Sequence, residues 1–305
     1  TREHIAMGTK QDIEVLASGV VDEYAKGHLK GREQDFIQPR ELHWLKILED
    51  DGRLVRHFNW RFFKNGDSRA PETAGIANGL MGSFLTIALC FLFSFPIAVM
   101  AGVYLEEFFD RHHAPAWLRQ VYYLIEININ SLAAVPSIIY GLFGLFIIIN
   151  FLGVPRSSAL AGGLTLGLMT MPLLVIVTRT ALRSVPKSIR EAALSLGVSK
   201  PQLIFHHLLP LSLSSILTGT ILGLSRALGE TAPLIMIGMV AFIMGKVDSL
   251  TAPTTTLPVQ VFLWATHAEN AFIYKTAAAI IVLLFLLFLI NLVTIIIRQK
   301  WSKQW

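Results

Sequence analysis

Residues 80–104 read LMGSFLTIALCFLFSFPIAVMAGVY, a run of 25 residues without a charge. A helix needs about 20 such residues to cross the hydrocarbon core of a bilayer. The run therefore predicts a transmembrane helix. Four more runs follow it: Ser131 to Pro155, with a lead-in over Leu118 to Asn130, then Ser157 to Thr178, Leu208 to Gly245 and Ala277 to Ile297. Only Arg226 and Glu230 interrupt the fourth. Pro96, Pro136, Pro172 and Pro233 lie inside these runs. Lipid-buried helices accept proline when neighbours satisfy the freed carbonyls. The fold expected is an all-α polytopic bundle of kinked or broken helices. Ala161-Gly162-Gly163 and Gly219-x-x-x-Gly223 supply small residues that let helix axes approach closely.

The composition agrees. Of 305 residues, 53% are hydrophobic and 15% charged, where soluble domains carry about 25% charged residues. Residues 1–78 hold 12 Lys and Arg against 13 Asp and Glu, and residues 79–305 hold 14 against 8. The positive excess thus sits beside apolar runs, as in cytoplasmic loops, and gives no reason to expect nucleic acid. With Cys90 as its one cysteine, the chain can form no internal disulfide. Segments 105–119, 182–206 and 298–305 carry Arg111, Arg119, Arg183, Lys187, Arg190, Lys200, Arg298, Lys300 and Lys303. The alternating loops carry Arg156, Lys246 and Lys275. Nine against three places the first set in the cytoplasm, with the C-terminal tail 301–305. Five spans then put residues 1–78 outside. An external segment of that kind calls for a further helix upstream of Thr1, which would make six spans.

Segment 1–78 reads as a small water-soluble module. Ile13, Leu16, Val20 and Tyr24 predict a helix over Asp12 to Lys30. Leu45 to Phe58 reads as two short strands about the turn signal Asp50-Asp51-Gly52. The aromatic stretch Phe58 to Phe63 lies just before the first span, where interfacial packing and partner docking are both open to it.

The basic loop 183–207 contains VPKSIREAALSLGVSKP over residues 185–201. Two prolines bracket a short amphipathic helix. Ser188 and Glu191 fit a capping box, and Gly197 fits the left-handed position after a helix end. Ile189, Ala193 and Leu196 are expected on one face. Glu191-Ala192-Ala193-x-x-x-Gly197, with Leu209-Pro210 beyond it, resembles the EAA loop of permease subunits of binding-protein-dependent ABC importers. Ser225 to Leu234, Ala134 to Ile138 and Tyr104 to Phe108 are similar to the corresponding stretches of the phosphate-importer branch of that family. The resemblance covers residues 79–300 and leaves out segment 1–78. It implies the type I ABC importer permease fold, with Glu191, Ala192, Ala193 and Gly197 coupling the chain to an ATPase. It also implies a second permease subunit (PstC-like), two ATPase subunits (PstB-like) that bind ATP and Mg2+, and an external phosphate-binding protein (PstS-like). No cofactor is then bound by this chain, whose own surroundings are membrane lipid.

Arg226 and Glu230 are four apart, so a helix would set them on one face. An ionised residue at a helix centre costs about 2.5–3.5 kcal/mol on insertion scales. Two roles are open to the pair: a self-neutralising structural contact, or a substrate path. A guanidinium fork suits two phosphate oxygens, and a carboxylate can accept the proton that phosphate carries and sulfate lacks. Gly229 and Pro233 suggest a helix break there. Arg179 and Arg183 end the third span. Arg183 is expected to snorkel, and Arg179 to snorkel or to meet the anion on its way out. Glu126 and Asn130 are candidates for a polar interhelical contact or for the path. His112-His113 and His206-His207 lack metal-site spacing. A phosphate-cradling Gly-x-x-x-x-Gly-Lys-Ser/Thr loop is missing, so ATP hydrolysis would belong to a partner. A sulfate or molybdate permease, and a channel or anchor without ATP coupling, remain the alternative readings.

Overall fold

The structure is a computed structural model that describes residues 17–301 except 28, 55–56, 110–113, 241, 244–247 and 270. Several sequence expectations fall outside that set: the helix start at Asp12 to Leu16, Arg111, His112-His113, Lys246 and the tail beyond Trp301 with Lys303.

Every regular element among the described residues is helical. The membrane part begins with α5 (Ala77–Val103), prolonged by a π-helical turn over Tyr104–Phe108. It continues through α6 (Ala116–Ala133), α7 (Ser137–Phe143, then a π-helical stretch Gly144–Phe151) and α8 (Ala159–Arg183). After the surface helix α9 (Lys187–Ser195), a span runs from α10 (Lys200–Gln202) through a π-turn into α11 (Leu209–Gly229). Two short helices, α12 (Ala232–Met236) and α13 (Leu257–Ala265), precede the last span α14 (Ala271–Trp301). Four helices are long and apolar enough to cross a membrane, and α6 with α7 forms a fifth unit bent by 107°.

Two apolar runs therefore do not become single helices. The bend between α6 and α7 falls at Ala134-Val135-Pro136, where proline lacks the amide that would continue the ladder. The run predicted over Leu208 to Gly245 stops as a helix at Gly229. It restarts at Ala232 with Pro233 in its first turn, and ends at Gly238 with φ +86°. Pro96 and Pro172, by contrast, lie within continuous helices.

Glycines set the closest packing. A Cβ on Gly163 would lie 2.5 Å from the Leu89 Cβ, one on Gly167 2.7 Å from the Phe93 ring, and one on Gly102 2.7 Å from the Thr178 Cβ. The sequence order of these contacts, rising together along both helices, makes α5 and α8 parallel neighbours. Gly219 faces Val177, and Gly223 faces Leu173 and Leu174, so α11 also packs on α8 and runs antiparallel to it. At the end opposite α9, neutral hydrogen bonds fasten the start of α5 to the α13 region. The Leu257 amide donates to the Ser83 hydroxyl (2.8 Å), Gln260 donates to the Gly75 carbonyl (2.9 Å) and Asn78 to the Ile243 carbonyl (2.9 Å).

The N-terminal segment is helical, with α1 (Gly19–Ala25), α2 (Glu33–Phe36), α3 (Pro39–Asp50) and α4 (Trp60–Lys64). The two strands expected over Leu45 to Phe58 do not form. Gln38 and Glu41 make a capping box around Pro39, and Leu45 packs on Leu29 and Ile37, so helical periodicity governs. Asp51-Gly52 is a turn, with Gly52 at φ +64°, but it ends a helix where a hairpin was expected. Phe62 of α4 is buried against Trp264 and Phe272, while Phe58 and Trp60 remain exposed.

Candidate coupling and translocation site

The surface helix α9 starts one residue earlier than its predicted cap. Pro186 is the N-cap without a side-chain hydrogen bond, so Ser188 and Glu191 do not form the expected box. The capping box in this loop is Ser199 with Gln202, at the start of α10. Gly197 has φ +76°, the left-handed geometry that ends a helix at low cost. Ala193 is buried and Ile189 partly buried against Val103, Leu182, Val185, Ile204 and Leu208. Leu196 does not share that face. It is 84% exposed, because the chain leaves the helix at this residue and the side chain swings outward. Glu191, Ala192, Leu194 and Leu196 together present an uncovered, largely apolar strip.

A cluster of charges lies next to this loop. Arg179 is 5% exposed. Its Nη2 donates to Glu126 Oε1 (2.8 Å) and to the Tyr122 hydroxyl (2.8 Å), and its Nε donates to Glu106 Oε2 (3.3 Å). Arg183, half exposed, donates to the other Glu106 oxygen (2.7 Å) and lies 3.8 Å from Glu126. Two cations thus neutralise two carboxylates across α5, α6 and α8. Arg183 is a paired residue, not a lone snorkelling one. Glu126 makes an interhelical contact, whereas Asn130 is exposed one turn farther on. Glu107 holds Arg190 of α9 through both carboxylate oxygens (2.7 and 2.6 Å).

Sequence reasoning singled out Arg179, Arg183 and Glu126 but missed Glu106, Glu107, Tyr122 and Arg190 as members of this constellation. Two consecutive carboxylates at the end of a 25-residue uncharged run were the available signal.

Arg226 and Glu230 do meet, at 3.8 Å, with side chains 70% and 21% exposed. Ala227 and Leu228 beside them are buried, so Arg226 projects from the outer face of this chain's own bundle. Glu230 is the residue just past α11, in extended conformation. The break is not at a bundle end. A Cβ on Gly141 would lie 2.8 Å from the Pro233 Cα, whereas Met239 reaches Gly162 in the first turn of α8. The Gly219–Val177 and Gly223–Leu173 contacts set residue 226 about level with residue 170 of α8. That is roughly 13 Å along the axis from Arg179 at 1.5 Å per residue. The structure does not bring Arg226 and Arg179 into one site.

His206 and His207 are exposed in the π-turn before α11, and no group of three His, Cys, Asp or Glu suited to a metal occurs among the described residues.

Residues 94–303 match the family described as binding-protein-dependent transport system inner membrane component. The chain is 33% identical over 232 residues to the phosphate transport system permease protein PstA of Yersinia pestis, covering 75% of each. It is 33% identical over 181 residues to the probable ABC transporter permease protein YqgI of Bacillus subtilis (strain 168), covering 59% of each. Among solved structures it is similar in fold to the inward-facing MetNI methionine ABC transporter. That match has a TM-score of 0.59 at 19% identity and covers 73% of this chain and 95% of that one.

Proposed function

For a chain that belongs to the binding-protein-dependent transport system inner membrane components, a multi-pass inner-membrane protein with the type I importer permease fold, we propose the role of a permease subunit in an ATP-driven importer of inorganic phosphate. It forms half of the translocation path, and a second permease subunit supplies the other half. The ATPase and its Mg2+–ATP belong to separate subunits seated on the strip of Glu191, Ala192, Leu194 and Leu196. Ala193, buried on the opposite side, and Gly197 shape that strip. An external phosphate-binding protein delivers the cargo. In this reading the end that bears α9 is cytoplasmic and residues 1–78 are external, which the distribution of Lys and Arg supports.

The observation that carries the phosphate reading is the Arg226–Glu230 pair. It lies at a helix break inside an apolar span, and its guanidinium is largely uncovered by its own chain. Intramembrane charges of this kind face a cavity or a partner subunit, since lipid would penalise them. The uncovered guanidinium can grip two phosphate oxygens while Glu230 accepts the proton of the monoprotonated or diprotonated anion. Arg179, committed to two carboxylates and a tyrosine hydroxyl, ties α5, α6 and α8 together at the α9 end, which leaves Arg226 as the guanidinium free to meet the anion.

The test is uptake of labelled phosphate into proteoliposomes holding the complete assembly. Arg226→Gln should abolish ATP-driven uptake while the subunits still copurify, and excess sulfate should not compete with the wild type. Normal uptake by Arg226→Gln would remove that residue from the path. Competition by sulfate would turn the cargo assignment toward oxyanions in general.

A further inference from the structure

Glu106 and Glu107 are consecutive, yet they hold different parts of the molecule. The π-helical turn Tyr104–Phe108 sets them in different directions at the end of α5. Such turns often occur at functional positions in helices. Glu106 faces α8 and takes Arg179 and Arg183. Glu107 faces the surface loop and takes Arg190, the residue immediately before Glu191.

We infer that Glu107 is the positioning residue through which movement of α9 reaches the first span, with Arg190 as its counterpart. This rests on the proposed reading that α9 seats against an ATPase.

Three features carry the inference. The Arg190–Glu107 contact is a two-oxygen grip at 2.7 and 2.6 Å, and the Glu107 side chain is only 6% exposed. Both bonds come from one nitrogen, Nη1, and make a short charge-assisted contact; the direction of the guanidinium is set by its second nitrogen. The second Arg190 nitrogen donates to the Leu182 carbonyl (2.8 Å) in the last turn of α8, which also accepts the Val185 amide (3.3 Å). One guanidinium therefore binds the surface helix to the ends of both α5 and α8. Finally, the apolar contact of α9 is slight: Ala193 is its one buried residue, with Ile189 partly covered, and its remaining apolar residues face outward. Small side chains alone would let the helix slide or roll, since apolar contact is non-directional. The ion pair makes α9 and the end of α5 move as one body, and Glu106 beside it passes the displacement to the Arg179 cluster.

The experiment uses the complete assembly in proteoliposomes and reads phosphate moved per ATP hydrolysed. Glu107→Gln keeps the size of the side chain and one acceptor oxygen. It should leave the ATPase bound and hydrolysing within about twofold of wild type, while the transport ratio falls at least tenfold. Arg190→Lys, which keeps charge but not the fork, should fall between wild type and Arg190→Gln. A wild-type ratio in Glu107→Gln would overturn the inference. If a single variant fails to assemble, the swapped pair Glu107→Arg with Arg190→Glu decides: recovery of assembly and transport together supports the tie, and failure of either overturns it. A wild-type assembly that moves no phosphate on ATP addition would instead sink the transport reading itself.

Discussion

Replacing Arg179 by glutamine removes one of two cations from a cluster that buries two carboxylates. In the native protein the side chains of Arg179, Glu106 and Glu126 are 6%, 14% and 28% exposed. Removing one partner of a buried pair costs about 3–5 kcal/mol, because the remaining charge stays desolvated and unpaired. Here Arg183 still reaches Glu106 at 2.7 Å, so that carboxylate keeps a partner. Glu126 loses its 2.8 Å contact and keeps only Arg183 at 3.8 Å. The cost should therefore fall near the low end, about 3 kcal/mol. Arg183 is half exposed, and Arg183→Gln leaves Arg179 on both acids, so it should cost about 1 kcal/mol or less. A difference of about 2 kcal/mol is roughly a 30-fold difference in the ratio of folded to unfolded protein. Reversible unfolding in mixed micelles, followed by tryptophan fluorescence, measures both variants on one scale. Adding Glu126→Gln to Arg179→Gln should recover part of the loss, because the stranded charge is gone. Equal unfolding midpoints for Arg179→Gln and Arg183→Gln would refute the structural role of Arg179. Wild-type stability with lost uptake would return it to the anion's path.

The packing of α8 against α5 and against α11 predicts different signs for two glycine substitutions. Gly163→Ala sets a methyl 2.5 Å from the Leu89 Cβ and 3.0 Å from the Thr86 carbonyl, and should destabilise by about 1–3 kcal/mol in the same unfolding assay. Gly223→Ala meets only leucine methyls at 3.4 and 3.5 Å, and should be neutral or stabilising by up to about 1 kcal/mol; equal effects would contradict the packing described. Outside the spans, burial pushes the Asp67 carboxyl above the ordinary carboxylate value, against the lowering effect of the Trp264 N–H, the Ser68 amide and His267. A raised acid favours the folded state most while protonated, so stability should fall as pH climbs from the ordinary carboxylate value to the folded one. Asp67→Asn should flatten that part of the stability profile, and an unchanged slope would count against the assignment.

The spans could be read in the sequence because the physics behind them is one-dimensional. A helix in lipid must be long, apolar and self-satisfied, and all three conditions are written in consecutive residues. The break after Gly229 and the turn at Gly197 were legible for the same reason. What failed was orientation on short elements. Leu45 to Phe58 carries β-compatible residues near a turn signal, and only the contacts of Leu45 with Leu29 and Ile37 decide for a helix. Leu196 matched the spacing of Ile189 and Ala193, yet the helix ends there and the periodicity no longer applies. The ion cluster was illegible as a unit. Arg179 and Arg190 find their acids 73 and 83 residues away, and nothing local marks which glutamate each will meet.

The two ends of the bundle are fastened by different chemistry, and this bears on which end can move. At the end opposite α9, most contacts are hydrogen bonds of Ser83, Gln260 and Asn78 with backbone groups, joined by Trp264 on the Asp67 carboxyl (3.0 Å) and Lys275 on the Ala74 carbonyl (3.2 Å). A buried neutral donor that leaves its one carbonyl is left unsatisfied, so such contacts resist rearrangement. At the α9 end, Arg183 already lies within reach of two acids, and Glu106 already serves two arginines. A balanced group of two cations and two anions can exchange partners without stranding a charge. That is what a two-state element requires: alternative arrangements separated by only a few kcal/mol. Under the proposed coupling role, a push on α9 would meet a junction that can re-pair, while the opposite end would keep the spans in register and give the motion a fixed point.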